Sequence, residues 1–302
     1  MIIENQKNIK VHFAATENMQ HFNGIKGFGY QYNLFTAYPF LERKLYKKPT
    51  HPILPCQFKG KAHLIPQYVI SNSIHAMQDS GLFTLMFGSR AGKKDKQFLD
   101  LYYEKLIEFT LSHSAGASIV EMDTQKVLGV KSAWDYRKKM KEDLPNNRII
   151  NVFHIEDGQK GLDEMIEFSD YIAISVPELR FAKKKMHLVR LANYIKNKKP
   201  EIDIHLLGFT EKRLFDQVRF CTSCDSSSYT SGLRYGFVCG QKVSNINIQK
   251  ALGLIPEKEM RVITKYISEK NAAVLLLNLY SEILKYEKHA GNQNRITTRQ
   301  KK

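Results

Sequence analysis

Residues 149–176, IINVFHIEDGQKGLDEMIEFSDYIAISV, decide the fold. Two short apolar runs, Ile149–His154 and Tyr171–Val176, bracket a stretch, Gly161–Phe168, whose Leu162, Met165 and Ile166 recur at helical spacing. Neither run alternates apolar and polar residues, as a strand with one wet face would. Both suit parallel strands covered on two faces, joined by the helix between them.

The same grammar extends both ways. Upstream lie Lys10–Ala15, the aromatic stretch Tyr30–Phe40 (a second strand or the helix after it), Gln67–Ile70 with the approach to Gln78, and Ser118–Met122. Downstream lie Ile202–Leu207 and Phe220–Ser223. Between them fall helix candidates: Asp95–His113, with Asp95 as N-cap and Phe98, Leu101, Tyr102, Leu106 and Phe109 at three-to-four spacing, then Ser132–Leu144 before Pro145, Ala182–Lys198 and Glu211–Val218. Strand, loop and helix repeated about eight times give an α/β fold. We expect a (β/α)8 TIM barrel, with an open doubly wound sheet as the alternative. Additional C-terminal helices are expected at Ile248–Leu252, Glu257–Ile267 and Ala272–Tyr286, so residues 1–290 read as one domain and 291–302 as a disordered basic tail.

Charge narrows the function. The chain carries 46 Lys+Arg against 30 Asp+Glu, a net +16. That surplus favours polyanions such as DNA, RNA or an anionic membrane surface, although a lysine-rich solvated surface gives the same count. No apolar run approaches the ~18 residues of a membrane span, and the N-terminal MIIENQKNIK has no apolar signal core. Four cysteines outside any framework spacing fit a reducing, cytoplasmic setting. The absence of GxGxxG after the first strand and of GxxxxGK[ST] anywhere argues against dinucleotide and P-loop sites.

Catalytic groups of a barrel sit at the C-terminal ends of its strands. Those ends offer Asp79 in MQDSG, Asp123 in VEMDTQ, Glu156 and Asp157 in FHIED, Glu178 in SVPELR and Asp225 in SCDSSSY. Asp79 and Asp225 each precede serine, and either could instead cap the next helix or turn, Asp225 less so because it follows the last strand. Ser80 and Gly81 would let the backbone approach a ligand closely. Asp123 can accept two N–H groups at once, as a guanine edge offers. His154 and His205 stand at strand ends, whereas His12 and His75 read as barrel histidines. Arg234 and Tyr235 could hold a phosphate and stack on a base, and Arg90 is a further basic candidate. Cys221 and Cys224, with Cys239 further on, lack the fourth ligand of a zinc site and read as buried thiols, so no metal is expected. Trp134 reads as core.

In this order, MQDSG (77–81), VEMDTQKVLG (120–129), NVFH (151–154), IHLLG (204–208) and SCDSSSY (223–229) resemble the tRNA-guanine transglycosylase superfamily, most of all its DNA-modifying branch in bacteria and phages. The resemblance spans roughly Val11 to Gly240. It implies a (β/α)8 barrel that exchanges guanine in nucleic acid for a 7-deazaguanine such as 7-cyano-7-deazaguanine. Asp225 matches the nucleophile position, Asp79 the general acid/base and Asp123 the reader of the purine edge. Ser80, Gly81, His154 and Glu178 are candidate base-binding neighbours. At Ile174–Glu178 the chain reads ISVPE where the family has a Gly-rich base-binding loop. The cysteine-dense zinc motif and the C-terminal module of tRNA-acting members are missing, which favours DNA as partner. No cofactor is expected, and a phage-encoded protein would act in the host cytoplasm. The rivals are a tRNA-guanine transglycosylase, a non-catalytic nucleic-acid-binding barrel and a barrel hydrolase of sugars or nucleosides. No sequence signal speaks to oligomeric state.

Overall fold

A computed structural model describes residues 9–46, 61–87, 94–184, 186–209, 211–230, 235–238, 241–242 and 270–290, with residues 232, 251, 253 and 255–257 besides. Eight parallel strands close in chain order into a barrel. They are β1 Lys10–Phe13, β2 Tyr32–Thr36, β3 His75–Asp79, β4 Ser118–Val120, β5 Ile149–Phe153, β6 Tyr171–Ser175, β7 Asp203–Leu207 and β8 Ser223–Ser226. β8 closes on β1 with Lys10 opposite Ser223 and His12 opposite Asp225. The chain is therefore an α/β (β/α)8 barrel, as its repeated pattern predicts.

Around it lie α1 Met19–Gly27, α2 Tyr38–Leu45, α3 Ile65–Ser71, α4 Leu82–Phe87, α5 Lys96–His113, α6 Gln125–Asp143, α7 Gly158–Phe168, α8 Val176–Phe181 and α9 His187–Lys198. Asp95 caps α5 as expected, its Oδ1 accepting from Phe98 N at 2.8 Å. The last described helix, α10 Lys270–Ala290, contains the expected Ala272–Tyr286 and packs on α1 and on the 3-10 helix Lys212–Val218, the place of a barrel's eighth helix. Apart from single residues, Ile248–Leu252, Glu257–Ile267 and the tail 291–302 lie outside the described residues, as do Cys56 and Cys239. Among the described residues no helix is long and apolar enough to cross a membrane.

Three expectations are corrected. Gln67–Ile70 is helical, within α3, because Pro66 presets the first helical turn and overrides the β-branched run. The last strand is Ser223–Ser226 rather than Phe220–Ser223, which puts Asp225 inside the strand and Cys221 before it. The expected helix Ala182–Lys198 begins only at His187, as α9: Pro177 starts a separate short helix, α8, that ends at Phe181, and Lys183, at φ 57°, lies in the turn between the two. The buried thiols of Cys221 and Cys224 are free, as expected. Trp134 is only partly buried, edge-on to Phe168 at 5.6 Å.

Outer faces of the strands bury apolar side chains against the helices, while the barrel interior holds only a small apolar set, Leu34, Met77, Val120, Ile150, Val152 and Ala173 among them. One ion pair crosses the outer core. Glu121 accepts from Arg137 Nε and Nη2 at 2.8 and 2.7 Å and from Asn151 and Val152 N at 2.6 and 2.9 Å, with both charges almost fully buried. Removing one partner of such a pair strands the other. Glu121→Ala should therefore lower unfolding free energy by about 3–5 kcal/mol in urea titration.

Candidate active site

The C-terminal strand ends gather the predicted residues on one face. Asp79 ends β3 and Asp225 is the third residue of β8. Asp123 and His154 follow β4 and β5, and Glu178 lies in the first turn of α8, after β6.

Asp225 is 7% exposed and held from one side. Its Oδ1 accepts from Gly208 N at 2.7 Å and lies 3.1 Å from His205 Nε2. Among the described residues Oδ2 has no hydrogen-bond partner. His205 Nδ1 is 2.7 Å from Ser223 Oγ, which is 2.5 Å from Tyr171 Oη. An ionised Asp225 can only accept, so His205 Nε2–H donates to it; with neutral imidazole, Ser223 then donates to Nδ1 and Tyr171 to Ser223. The serine-rich loop after Asp225 is pinned rather than open. Ser226 and Ser228 donate to Glu282 of α10, and Tyr229 Oη donates to the Ala14 carbonyl. Asp225 therefore sits on a rigid support.

Gly208 supplies its N–H only because its backbone is left-handed, at φ 64°, and a Cβ there would meet Pro177 Cγ at 2.9 Å. Gly208→Ala should turn that N–H off the carboxylate. We expect a loss of roughly 1–2 kcal/mol in stability, read by thermal melts.

Asp79 is tuned differently. Burial raises its carboxyl to about 6; the backbone N–H groups of Gly81 and Ser80 oppose this, and the charges of Asp225 and Asp123 add to the rise. Asp79 thus accepts from the turn that follows it while facing the other mouth carboxylates. Ser80 is turned to the chain: its Oγ accepts from Leu82 N at 3.4 Å and its carbonyl from Tyr102 Oη at 2.6 Å. Gly81 (φ 77°) is a close approach, and its partner is Tyr38, whose Cβ would lie 2.5 Å from an added Cβ.

His154 is clasped between two carboxylates. Nδ1 is 2.8 Å from Glu178 Oε2, and Nε2 lies 2.7 Å from Asp123 Oδ2 in an ion pair whose angle does not make a proper hydrogen bond. Burial alone would favour neutral imidazole, but Asp123 and Glu178 raise His154 to about 10. Burial likewise opposes the Glu178 anion; His154 outweighs it and, with Lys126 Nζ at 3.0 Å, holds that carboxyl down to about 2. His154 therefore orients Asp123, whose Oδ1 is buried without a hydrogen-bond partner. His154, Glu156 and Glu178 bring potential ligand atoms within 4.8 Å of one another. Lys126 already bridges the two glutamates, at 3.6 and 3.0 Å, and supplies the positive charge a metal ion would bring.

Arg90 and Arg234 lie outside the described residues, and Tyr235 is 70% exposed. Beneath the mouth the interior is polar: His12 Nε2 meets His75 Nδ1 at 2.8 Å, and His75 Nε2 meets Ser118 Oγ at 2.9 Å. Burial depresses His12 strongly and His75 to about 4, so both are neutral and serve as the expected barrel histidines. Sequence reasoning missed Lys126, Gly208 and the tie from His205 to Asp225; the last two lie within the IHLLG motif, which was their only signal.

Fold and mouth together define the class: a (β/α)8 barrel whose C-terminal face is lined with carboxylates. Neither any protein-family model nor any curated protein matches the chain.

Proposed function

We propose that this chain is a DNA guanine transglycosylase that replaces guanine with a 7-deazaguanine base. The observation that carries the reading is the division between two mouth carboxylates. Asp225 is anchored through one oxygen by Gly208 and His205, and Asp79 is raised to about 6, where it can give and take a proton near neutrality.

Asp225 Oδ2 attacks C1′ of the target nucleotide. The C1′–N9 bond breaks, its electron pair leaves with guanine, and Asp79 supplies the proton guanine takes up. The incoming base gives its N9 proton to the Asp79 carboxylate and attacks C1′. The C1′–Oδ2 bond then breaks, Asp225 is regenerated, and two inversions give net retention. Asp123 Oδ1 accepts from the purine edge while His154 and Glu178 fix its orientation. A paired base cannot reach this mouth, so the target must swing out of the duplex.

Labelled guanine offered with duplex DNA and with tRNA in parallel tests the reading. Incorporation into DNA is expected. Incorporation into tRNA alone would overturn the choice of DNA, and release from free nucleosides without a base acceptor would favour a hydrolase.

A further inference from the structure

The base-exchange chemistry leaves unused an exposed ridge that joins α8 to α9. Residues 180–184, 186, 187 and 190 are all exposed. Two of them are large and apolar, Phe181 at 84% and Met186 at 60% exposed. Lys183, Lys184 and Arg190 interleave with these, and none of the three has a carboxylate partner among the described residues.

The ridge has a defined place. α8 begins at the C-terminal end of β6, and its Glu178 reaches His154 at 2.8 Å. Phe181, three residues on, lies along the same side of the helix, at the end of α8 away from β6. The turn beyond it is built, not loose: Lys184 N donates to Leu179 O at 2.7 Å and Lys183 N to Arg180 O at 3.0 Å. This is the double closure of a helix end whose left-handed position usually holds glycine. Here Lys183 holds it at φ 57°, a conformation that a residue with a Cβ adopts only under strain. A cation is thus kept where glycine would be easier.

We propose that this ridge grips DNA beside the mouth: Phe181 and Met186 enter the stack where the target base has left it, and Lys183, Lys184 and Arg190 neutralise the flanking phosphates. Apolar wedges that fill an opened base step, flanked by cations on the backbone, are the pattern DNA-deforming proteins use. The grip rests on the proposed exchange, which requires the target base to leave the duplex stack.

The test reads binding and base opening without turnover, on the Asp225→Asn protein. Duplex binding is followed by fluorescence anisotropy over a series of salt concentrations. Lys183→Ala/Lys184→Ala should make the slope of log K against log salt shallower by about 1.8, two phosphate contacts' worth. An unchanged slope overturns the phosphate role. Duplex carrying 2-aminopurine beside the target guanine should brighten on binding. Phe181→Ala should cut that rise roughly fivefold or more and leave single-strand affinity unchanged. An undiminished rise, or an equal loss of single-strand binding, overturns the wedge. Absence of guanine exchange by the wild-type protein with both ridge effects present would strike the proposed activity and leave the ridge standing.

Discussion

Asp225→Asn should yield no denaturation-resistant protein–DNA adduct and should lower guanine exchange by about 10⁴-fold or more. The expectation follows from how little else the substitution changes. The amide is isosteric, and its oxygen can keep the hydrogen bonds from Gly208 N–H and His205. Its nitrogen then takes the place of Oδ2, the oxygen with no described partner, and an amide nitrogen there cannot attack C1′. The pinned loop of Ser226, Ser228 and Tyr229 does not involve the changed atoms, so folding and DNA affinity should stay near wild type. Denaturing electrophoresis of protein mixed with guanine-containing DNA reads the adduct. An adduct that survives in Asp225→Asn would remove Asp225 as nucleophile. Full biological function in that variant would instead favour a non-catalytic DNA-binding barrel.

The barrel was legible because its strands are buried on both faces. IINVF and YIAIS can be read without knowing their partners, and the amphipathic helix between them fixes parallel pairing. Reading failed where local chemistry outweighs apolarity. QYVI has strand-like residues, yet Pro66 starts a helix there. The last strand, SCDS, carries polar side chains that pay for their burial by pairing across strands, Ser223 with His205 and Tyr171, Asp225 with His205 and Gly208. No single-chain pattern reveals that, because it depends on register between β6, β7 and β8. The site divides in the same way. Carboxylates at strand ends are visible in sequence, whereas their division of labour is set by partners far along the chain: Gly208 beside Asp225, Lys126 and His154 beside Glu178.

Asp79→Asn should slow both halves of the exchange by about 10²–10⁴-fold and erase a pH limb near 6. Departure of guanine needs Asp79 protonated, so adduct formation should be fastest below about 6 and fall as pH rises through it. Return of the incoming base needs the carboxylate, so release of the adduct should show the opposite limb, falling as pH drops through the same value. Single-turnover measurements of each half separate the two. Stability supplies an independent sign. The carboxyl is raised in the folded protein, about 6 against 3.8 for the free group, so its favourable contribution is complete below about 3.8 and lost as pH rises through 6. At pH 8 the ionised side chain should cost on the order of 2 kcal/mol, allowing for its partial exposure. Asp79→Asn should therefore be less active yet more stable than wild type at pH 8, and the gain should vanish near pH 4. A variant that loses activity and stability together at pH 8 would mean that Asp79 supports the fold rather than carrying the proton. Unchanged pH limbs in both half-reactions would assign the proton transfer to another group.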